Sequence, residues 1–155
     1  MHLAVIGADP WFTEALRSLL ADTGAFRLAL LEPDVDSFTA RPEARGIDIA
    51  IVACAAASAE TARLVAWARK VHPHLRVIAK FDSLRPEFVR NAMQAGARGA
   101  FSAEDPPETL LTVLNSVATG HVSFPFVDFS TMRDDPFEQL TRREREVLGA
   151  LSKGW

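Results

Sequence analysis

Short apolar runs alternate with amphipathic segments along most of the chain. The apolar runs are nearly continuous and rich in aliphatic residues, so they predict strands that are covered on both faces. The predicted strands are 3–6, 26–31, 47–53, 75–81 and 99–101. The amphipathic segments predict helices over 10–21, 58–71, 85–95 and 106–118. Residues 34–46 are polar and predict an irregular segment or a short helix.

Residues at the helix boundaries support this division of the chain. Asp9 precedes Pro10, which suits an N-cap followed by a proline in the first turn. Gly96 and Gly120 follow the last two predicted helices and predict where they end. The strand–helix alternation predicts a parallel sheet with helices on both faces. Five such units in about 120 residues fit a flavodoxin-like (βα)5 α/β fold with strand order 2-1-3-4-5, so we predict one domain over residues 1–120.

The pattern changes after this domain. Residues 121–139 have no helical period and predict a linker. We expect its aromatic side chains to dock on a neighbouring surface, namely Phe124, Phe126 and Phe129. The last segment, 140–155, predicts a helix, because Thr141 suits an N-cap and Glu144 three residues later completes a capping box. Gly154 is placed to end that helix.

Composition limits the class of protein. Hydrophobic residues make up 48% of the 155 positions, which is enough for the core of one full domain. The net charge of −3 gives no overall basic surface for nucleic acid. No apolar run approaches the ~20 residues of a membrane span, and the start lacks a signal-peptide pattern, so we expect a cytoplasmic protein. The single cysteine, Cys54, is interpreted as a buried filler, with a redox sensor as the alternative.

Motifs for enzymatic chemistry are missing from the sequence. It has no glycine-rich phosphate loop, no nucleophile elbow and no plausible Ser/His/Asp set. His72 and His74 flank a proline, but no third ligand is evident, so we expect no zinc site. A flavin-binding protein of the same fold is a weaker enzymatic interpretation. We therefore predict neither an enzyme activity nor a cofactor.

Four segments carry a resemblance to a known family. They are Arg85-Pro-Glu-Phe-Val-Arg-Asn-Ala-Met-Gln-Ala-Gly-Ala-Arg-Gly99, Pro107-Glu-x-Leu-Leu, Ala118-x-Gly-His-Val and Leu140-Thr-Arg-Arg-Glu-Arg-Glu-Val-Leu. The chain resembles response regulators of the NarL/FixJ type, in which a receiver domain precedes a LuxR-type helix-turn-helix. The resemblance implies a transcription regulator that binds DNA through the helix-turn-helix, commonly as a homodimer. Residues 140–155 match only its first helix, so we expect the recognition helix beyond Trp155 and no DNA-binding residue within this sequence.

The resemblance also implies where a phosphoryl group would bind. Receivers of this family hold Mg²⁺ with two acids after the first strand and phosphorylate an Asp that ends the third. A Ser or Thr after the fourth strand and a Lys after the fifth contact the phosphoryl group. The matching positions in this chain are Gly7, Ala8, Ala53, Phe81 and Ala103. None of these side chains can serve the family's role, so we predict an atypical receiver with no phosphoacceptor, no catalytic residue and no bound Mg²⁺.

Two interpretations of the altered site remain open. The replacements could fill the vacated space as core residues, leaving a phosphorylation-independent dimerisation and regulatory module. Alternatively, they form an apolar pocket that binds a metabolite and controls DNA binding. The residues predicted to bind such a ligand are Asp9, Lys80, Phe81, Asp82 and Glu104. Lys80, unusual in a central strand, either extends along apolar surface to the rim or pairs with Asp82, Glu104 or an anionic ligand.

Two surfaces are candidates for the homodimer interface. The resemblance implies either the face formed by the fourth helix, fifth strand and fifth helix of the receiver, or the pair formed by its first and fifth helices. On the first surface we predict Arg85, Arg90, Arg98, Glu108, Thr112 and Asn115. On the second surface we predict Trp11, Leu110 and Leu114.

Overall fold

A computed structural model describes residues 1–54 and 59–125 of the chain. Its five strands are β1 (His2–Ile6), β2 (Arg27–Glu32), β3 (Ile49–Cys54), β4 (Arg76–Phe81) and β5 (Gly99–Ser102). They form one sheet in the order β2-β1-β3-β4-β5, and every neighbouring pair is parallel. The predicted order 2-1-3-4-5 is therefore confirmed.

Four helices lie between the strands and a fifth follows β5. They are α1 (Pro10–Ala21), α2 (Val35–Thr39), α3 (Ala59–Val71), α4 (Pro86–Ala95) and α5 (Pro107–Ala118). The Asp9 carboxylate accepts a hydrogen bond from the Phe12 amide at 2.8 Å, which confirms the predicted N-cap of α1. Gly96 has a φ of 98° and closes α4, as predicted. No helix among the described residues has the length and apolar character that a membrane crossing requires.

The segment between β2 and β3 is more ordered than its composition predicts. It holds α2 and a 3₁₀ helix over Pro42–Gly46. Asp34 starts α2, because its carboxylate accepts the Ser37 amide at 2.7 Å, and this bond holds the pKa of Asp34 below its usual value. Phe38 is fully buried and packs edge-to-face on Trp67 of α3, with ring centroids 5.9 Å apart. One buried aromatic residue therefore anchors a segment that looks polar in sequence.

Both faces of the sheet are covered, which explains the continuous apolar strands. Leu3 and Val5 of β1 point towards α1 and α5, where they join Leu16, Leu110 and others. Ala4 and Ile6, which alternate with them along β1, point to the opposite face, towards α3 and α4. Adjacent residues of one strand therefore lie in different cores, on opposite faces of the sheet.

The chain beyond α5 returns to the edge of the sheet. The Ser123 amide donates to the Arg98 carbonyl at 2.9 Å, and the Ala100 amide donates to the Ser123 carbonyl at 3.1 Å. Phe124 packs against the α4 side of the core near Val89, so the docking predicted for this side chain is confirmed. The remainder of the predicted linker, with Phe126 and Phe129, and the predicted helix from Thr141 lie outside the described residues.

Candidate functional site

The positions that the resemblance assigns to phosphoryl chemistry meet at the carboxyl edge of the sheet. A Cβ atom built on Gly7 would lie 4.0 Å from the Cβ of Ala53, so these two positions face each other across β1 and β3. The Ala103 amide donates to the Phe81 carbonyl at 2.7 Å, which joins the ends of β4 and β5. The fold therefore forms the expected edge, but its side chains carry no acid, hydroxyl or ammonium at these positions.

The backbone conformation of Gly7 also separates it from the acidic residue that the resemblance implies at this position. Its φ of 76° lies in the left-handed region, which glycine adopts freely and most L residues adopt at a cost. Its amide donates to the Glu32 carbonyl at 2.8 Å, which fixes this conformation at the end of β2. The loop after β1 is therefore shaped around a glycine.

Phe81 fills core rather than lining a cavity. The side chain is 1% exposed and lies on the α3–α4 face of the sheet. Its ring centroid is 5.6 Å from that of Phe88 in α4. The predicted ligand-binding role of Phe81 is therefore not what the structure shows, because an aromatic ring packed between β4 and α4 leaves no surface for a ligand.

Lys80 lies on the opposite face from Phe81, since neighbouring strand residues alternate. Its side chain is only 5% exposed, and its ammonium lies 4.8 Å from the centroid of the Phe12 ring. The Nζ atom is 3.7 Å from Oδ1 of Asp82, whose side chain is 79% exposed. The alternative pairing of Lys80 with Asp82 is thus confirmed, whereas extension to an exposed rim is wrong.

The remaining rim acids serve local structure. Asp9 caps α1, as described above, and Asp105 accepts the Ser102 amide at 2.8 Å. Glu104 is exposed, and its amide donates to the Ser102 hydroxyl at 3.1 Å. Within residues 1–54 and 59–125, no three His, Cys, Asp or Glu side chains converge in a way that could hold a metal ion.

A groove between α1 and α5 lies beside this edge of the sheet. We call it the α1–α5 groove; its volume is about 340 Å³. The residues that line it are Asp9, Trp11, Phe12, Ala15, Leu16, Leu19, Lys80, Phe101, Ser102, Ala103, Asp105, Pro106, Pro107 and Leu110. Of the predicted pocket (Gly7, Ala8, Ala53, Phe81 and Ala103), only Ala103 lines this groove. Of the predicted ligand residues, only Asp9 and Lys80 line it.

Sequence reasoning missed the groove because its two walls are far apart in the chain. Phe12 of α1 and Phe101 of β5 stack with centroids 6.0 Å apart and form its floor together with Lys80. Trp11 stands at its rim with 87% of its surface exposed. The sequence feature that could have indicated the groove is Trp11, a large aromatic residue one turn before the apolar residues of the same helix.

The predicted interface residues divide into exposed and buried groups. The exposed ones are Trp11, Arg85, Arg98, Glu108, Thr112 and Asn115. Leu114 is fully buried and Leu110 is 6% exposed, so the apolar spacing of α5 marks its core side and Leu114 cannot be an interface residue as folded. Arg90 is also buried, and its Nε and Nη1 atoms have no hydrogen-bond partner in the part of the chain that the structure describes.

Sequence relatives of the chain are transcriptional regulatory proteins. The chain is 29% identical to the probable transcriptional regulatory protein SgaR of Hyphomicrobium methylovorum over 155 residues, which is 100% of this chain and 74% of that protein. It is 37% identical to the transcriptional regulatory protein UhpA of Salmonella typhimurium over 81 residues, which is 50% of this chain and 39% of that protein. No protein-family model matches the sequence.

Solved structures with the same architecture include receiver domains. The receiver domain of RcsB from Salmonella enterica serovar Typhimurium matches with a TM-score of 0.68 at 13% identity, over 81% of this chain and 93% of that chain. The signal receiver domain of NarL from Mycobacterium tuberculosis matches with a TM-score of 0.66 at 20% identity, over 77% of this chain and 97% of that chain. The fold is therefore that of a response-regulator receiver domain. The solved structures therefore show the fold, and the sequence relatives are named as transcriptional regulatory proteins.

Proposed function

We propose that this chain is the regulatory part of a transcription regulator whose receiver domain works without aspartyl phosphorylation. The observation that carries the proposal is the side-chain content of the carboxyl edge, where Gly7, Ala53 and Phe81 replace the acid, the acceptor and the hydroxyl. The similarity to SgaR and UhpA supports the regulatory role. DNA would be bound through a helix-turn-helix that begins in the 140–155 segment.

The chemistry of the edge supports the loss of the phosphoryl switch. An aspartyl phosphate needs an acceptor carboxylate and a divalent cation held by several oxygen ligands in octahedral geometry. One carboxylate oxygen of Asp9 accepts the hydrogen bond that caps α1. The Asp82 side chain is exposed and is the counter-ion of Lys80. No three acidic or other metal-ligating side chains converge among the described residues, and this supports the proposed loss of Mg²⁺ binding and of phosphoryl transfer.

Incubation with acetyl phosphate and Mg²⁺ tests this proposal. We expect the intact mass of the chain to stay unchanged, because no carboxylate lies at the acceptor position. An increase by the mass of one phosphoryl group would contradict the proposal. In that case the variants Asp9→Asn and Asp82→Asn would show which rim acid had accepted it, since both keep the shape of the side chain.

The domain is proposed to act as a dimerisation module, because paired half-sites in DNA require a two-fold protein. The exposed side chains around α4, β5 and α5 include Arg85 just before α4, Arg98 just before β5 and Glu108 in the first turn of α5. Across a two-fold axis such a mixed set can pair with itself. We expect the chain to sediment as a dimer at micromolar concentration. A monomer at high micromolar concentration in analytical ultracentrifugation would contradict this role.

A second candidate function is a receiver controlled by a small molecule. The observation that favours it is the α1–α5 groove, which is largely apolar and has the Lys80 ammonium in its floor. A ligand that fits the groove better in one state of the dimer would shift the population towards that state. This function would supply an input for a receiver that lacks its phosphoryl switch.

A further inference from the structure

We propose that the α1–α5 groove binds a small, mostly apolar ligand with one anionic group, and that Lys80 is the counter-ion for that group. The proposal deepens the second candidate function and rests on it for the regulatory meaning of binding. The groove differs from the site that the sequence analysis predicted, since its walls come from α1 and α5 rather than from the vacated phosphoryl positions.

Lys80 is the first reason for the proposal. Removing an ammonium from water is costly unless charged or hydrogen-bonding groups replace the water. Its neighbours across the sheet are Ala53 on β3 and Phe101 on β5, and neither offers an oxygen from its side chain. The ion pair with Asp82 is 3.7 Å long, which exceeds a hydrogen bond. Asp82 and the face of the Phe12 ring compensate the charge without a short hydrogen bond. An ammonium has three donors, so the anionic group of a ligand in the groove could accept from them.

The apolar lining of the groove is the second reason for the proposal. Phe12, Leu16, Leu19, Phe101 and Leu110 give the groove an apolar surface. Its volume of about 340 Å³ lies at the lower end of the range for small-molecule sites, roughly 300–1,000 Å³. A ligand of up to three rings would therefore bury most of its apolar surface there. Apolar walls around a single cation define an amphipathic anion as the class of ligand.

The acids at the mouth select the orientation of the ligand. Asp9 is exposed and Asp105 is partly exposed, and each accepts a backbone amide, so water and hydrogen bonds screen their charge. Lys80 is nearly buried, and charge interactions are stronger where water is excluded. The anionic group is therefore attracted to the floor and repelled from the mouth. The apolar body of the ligand would lie under Trp11.

Two fluorescent probes that differ in charge can test the proposal. 8-Anilinonaphthalene-1-sulfonate is an apolar anion, and N-phenyl-1-naphthylamine has the same ring system without the sulfonate. We expect Lys80→Met to weaken binding of the sulfonate about tenfold, as for loss of a charged hydrogen bond, and to leave the neutral probe unchanged. The variant should fold, because an apolar side chain of similar length can replace a buried charge without loss of stability. Lys70→Met, which removes an exposed lysine of α3, is the matched control.

A second pair of variants locates the probes. Ala15→Phe places a ring in the groove and is expected to weaken both probes at least about fivefold, an effect of lost space rather than charge. Ser18→Phe adds the same ring to an exposed position of α1 outside the groove and should change neither. The proposal is overturned if Lys80→Met and Lys70→Met have equal effects on the sulfonate, or if Ala15→Phe leaves both probes bound.

A second copy of the chain is the competing occupant of the groove. If Trp11 of one chain filled the groove of another, both probes would bind only to the monomer, and their binding would weaken as protein concentration rises. That outcome would also overturn the proposal. Because the experiment measures binding directly, its failure is distinguishable from a failure of phosphorylation independence, which the acetyl phosphate experiment measures separately.

Discussion

Replacing Phe81 with threonine, the kind of residue that the resemblance implies at this position, is expected to destabilise the domain rather than restore its chemistry. Removing a buried aromatic side chain costs about 3–5 kcal/mol of the free energy of unfolding. The Phe81 ring is 1% exposed and packs on Phe88, so little relaxation can fill the space that it leaves. Urea unfolding followed by circular dichroism measures the loss.

The Phe81→Leu variant is the control for this prediction. It keeps an apolar side chain and should lose a smaller amount, about 1–2 kcal/mol. Neither variant should gain mass with acetyl phosphate and Mg²⁺. A threonine variant as stable as the parent chain would contradict the placement of Phe81 in the core, and a phosphorylated one would show that an acceptor remains at this edge.

The expected loss follows from the structural roles of the residues at this edge of the sheet. The ring of Phe81 belongs to the same core as Ala92 of α4 and Ala97, which follows that helix. Gly7 holds a backbone conformation that disfavours most side chains. Gly7 and Phe81 therefore each have a structural role, and introducing the residue that the resemblance implies would disturb packing before it could assist chemistry.

The fold could be predicted from the sequence because local patterns determined it. Buried parallel strands need apolar residues on both faces, and β1, β3 and β4 are nearly continuous in that respect. The ends of the helices had chemical markers, such as Asp9 before α1 and Gly96 after α4. The order of the strands then followed from the usual connection of five βα units.

The side chains that form the site could not be predicted in the same way. Lys80 and Phe81 are adjacent in sequence and were assigned to one pocket, yet strand alternation sends them to opposite faces. The α1–α5 groove depends on the distance between two helices that are about 90 residues apart in sequence, and helical periodicity carries no information about that distance. The helical spacing of apolar residues in α5 is compatible with either a core side or an interface.

Leu114 gives the sharpest test of that last ambiguity. Its side chain is fully buried among the residues that join α5 to the sheet. We expect Leu114→Ala to lower the free energy of unfolding by about 3 kcal/mol, since it removes three buried carbon atoms and leaves a cavity. Urea unfolding measures the loss, and sedimentation under native conditions should show the same association as the parent chain.

Asn115→Ala is the matched control on the same turn of α5. Asn115 is exposed, so its truncation should change stability by less than about 0.5 kcal/mol. Substituting a core residue changes the free energy of unfolding, whereas substituting an interface residue changes the dimer dissociation constant. If Leu114→Ala weakened the dimer while leaving unfolding unchanged, α5 would present its apolar side to a partner, and the packing of α5 on the sheet would be wrong.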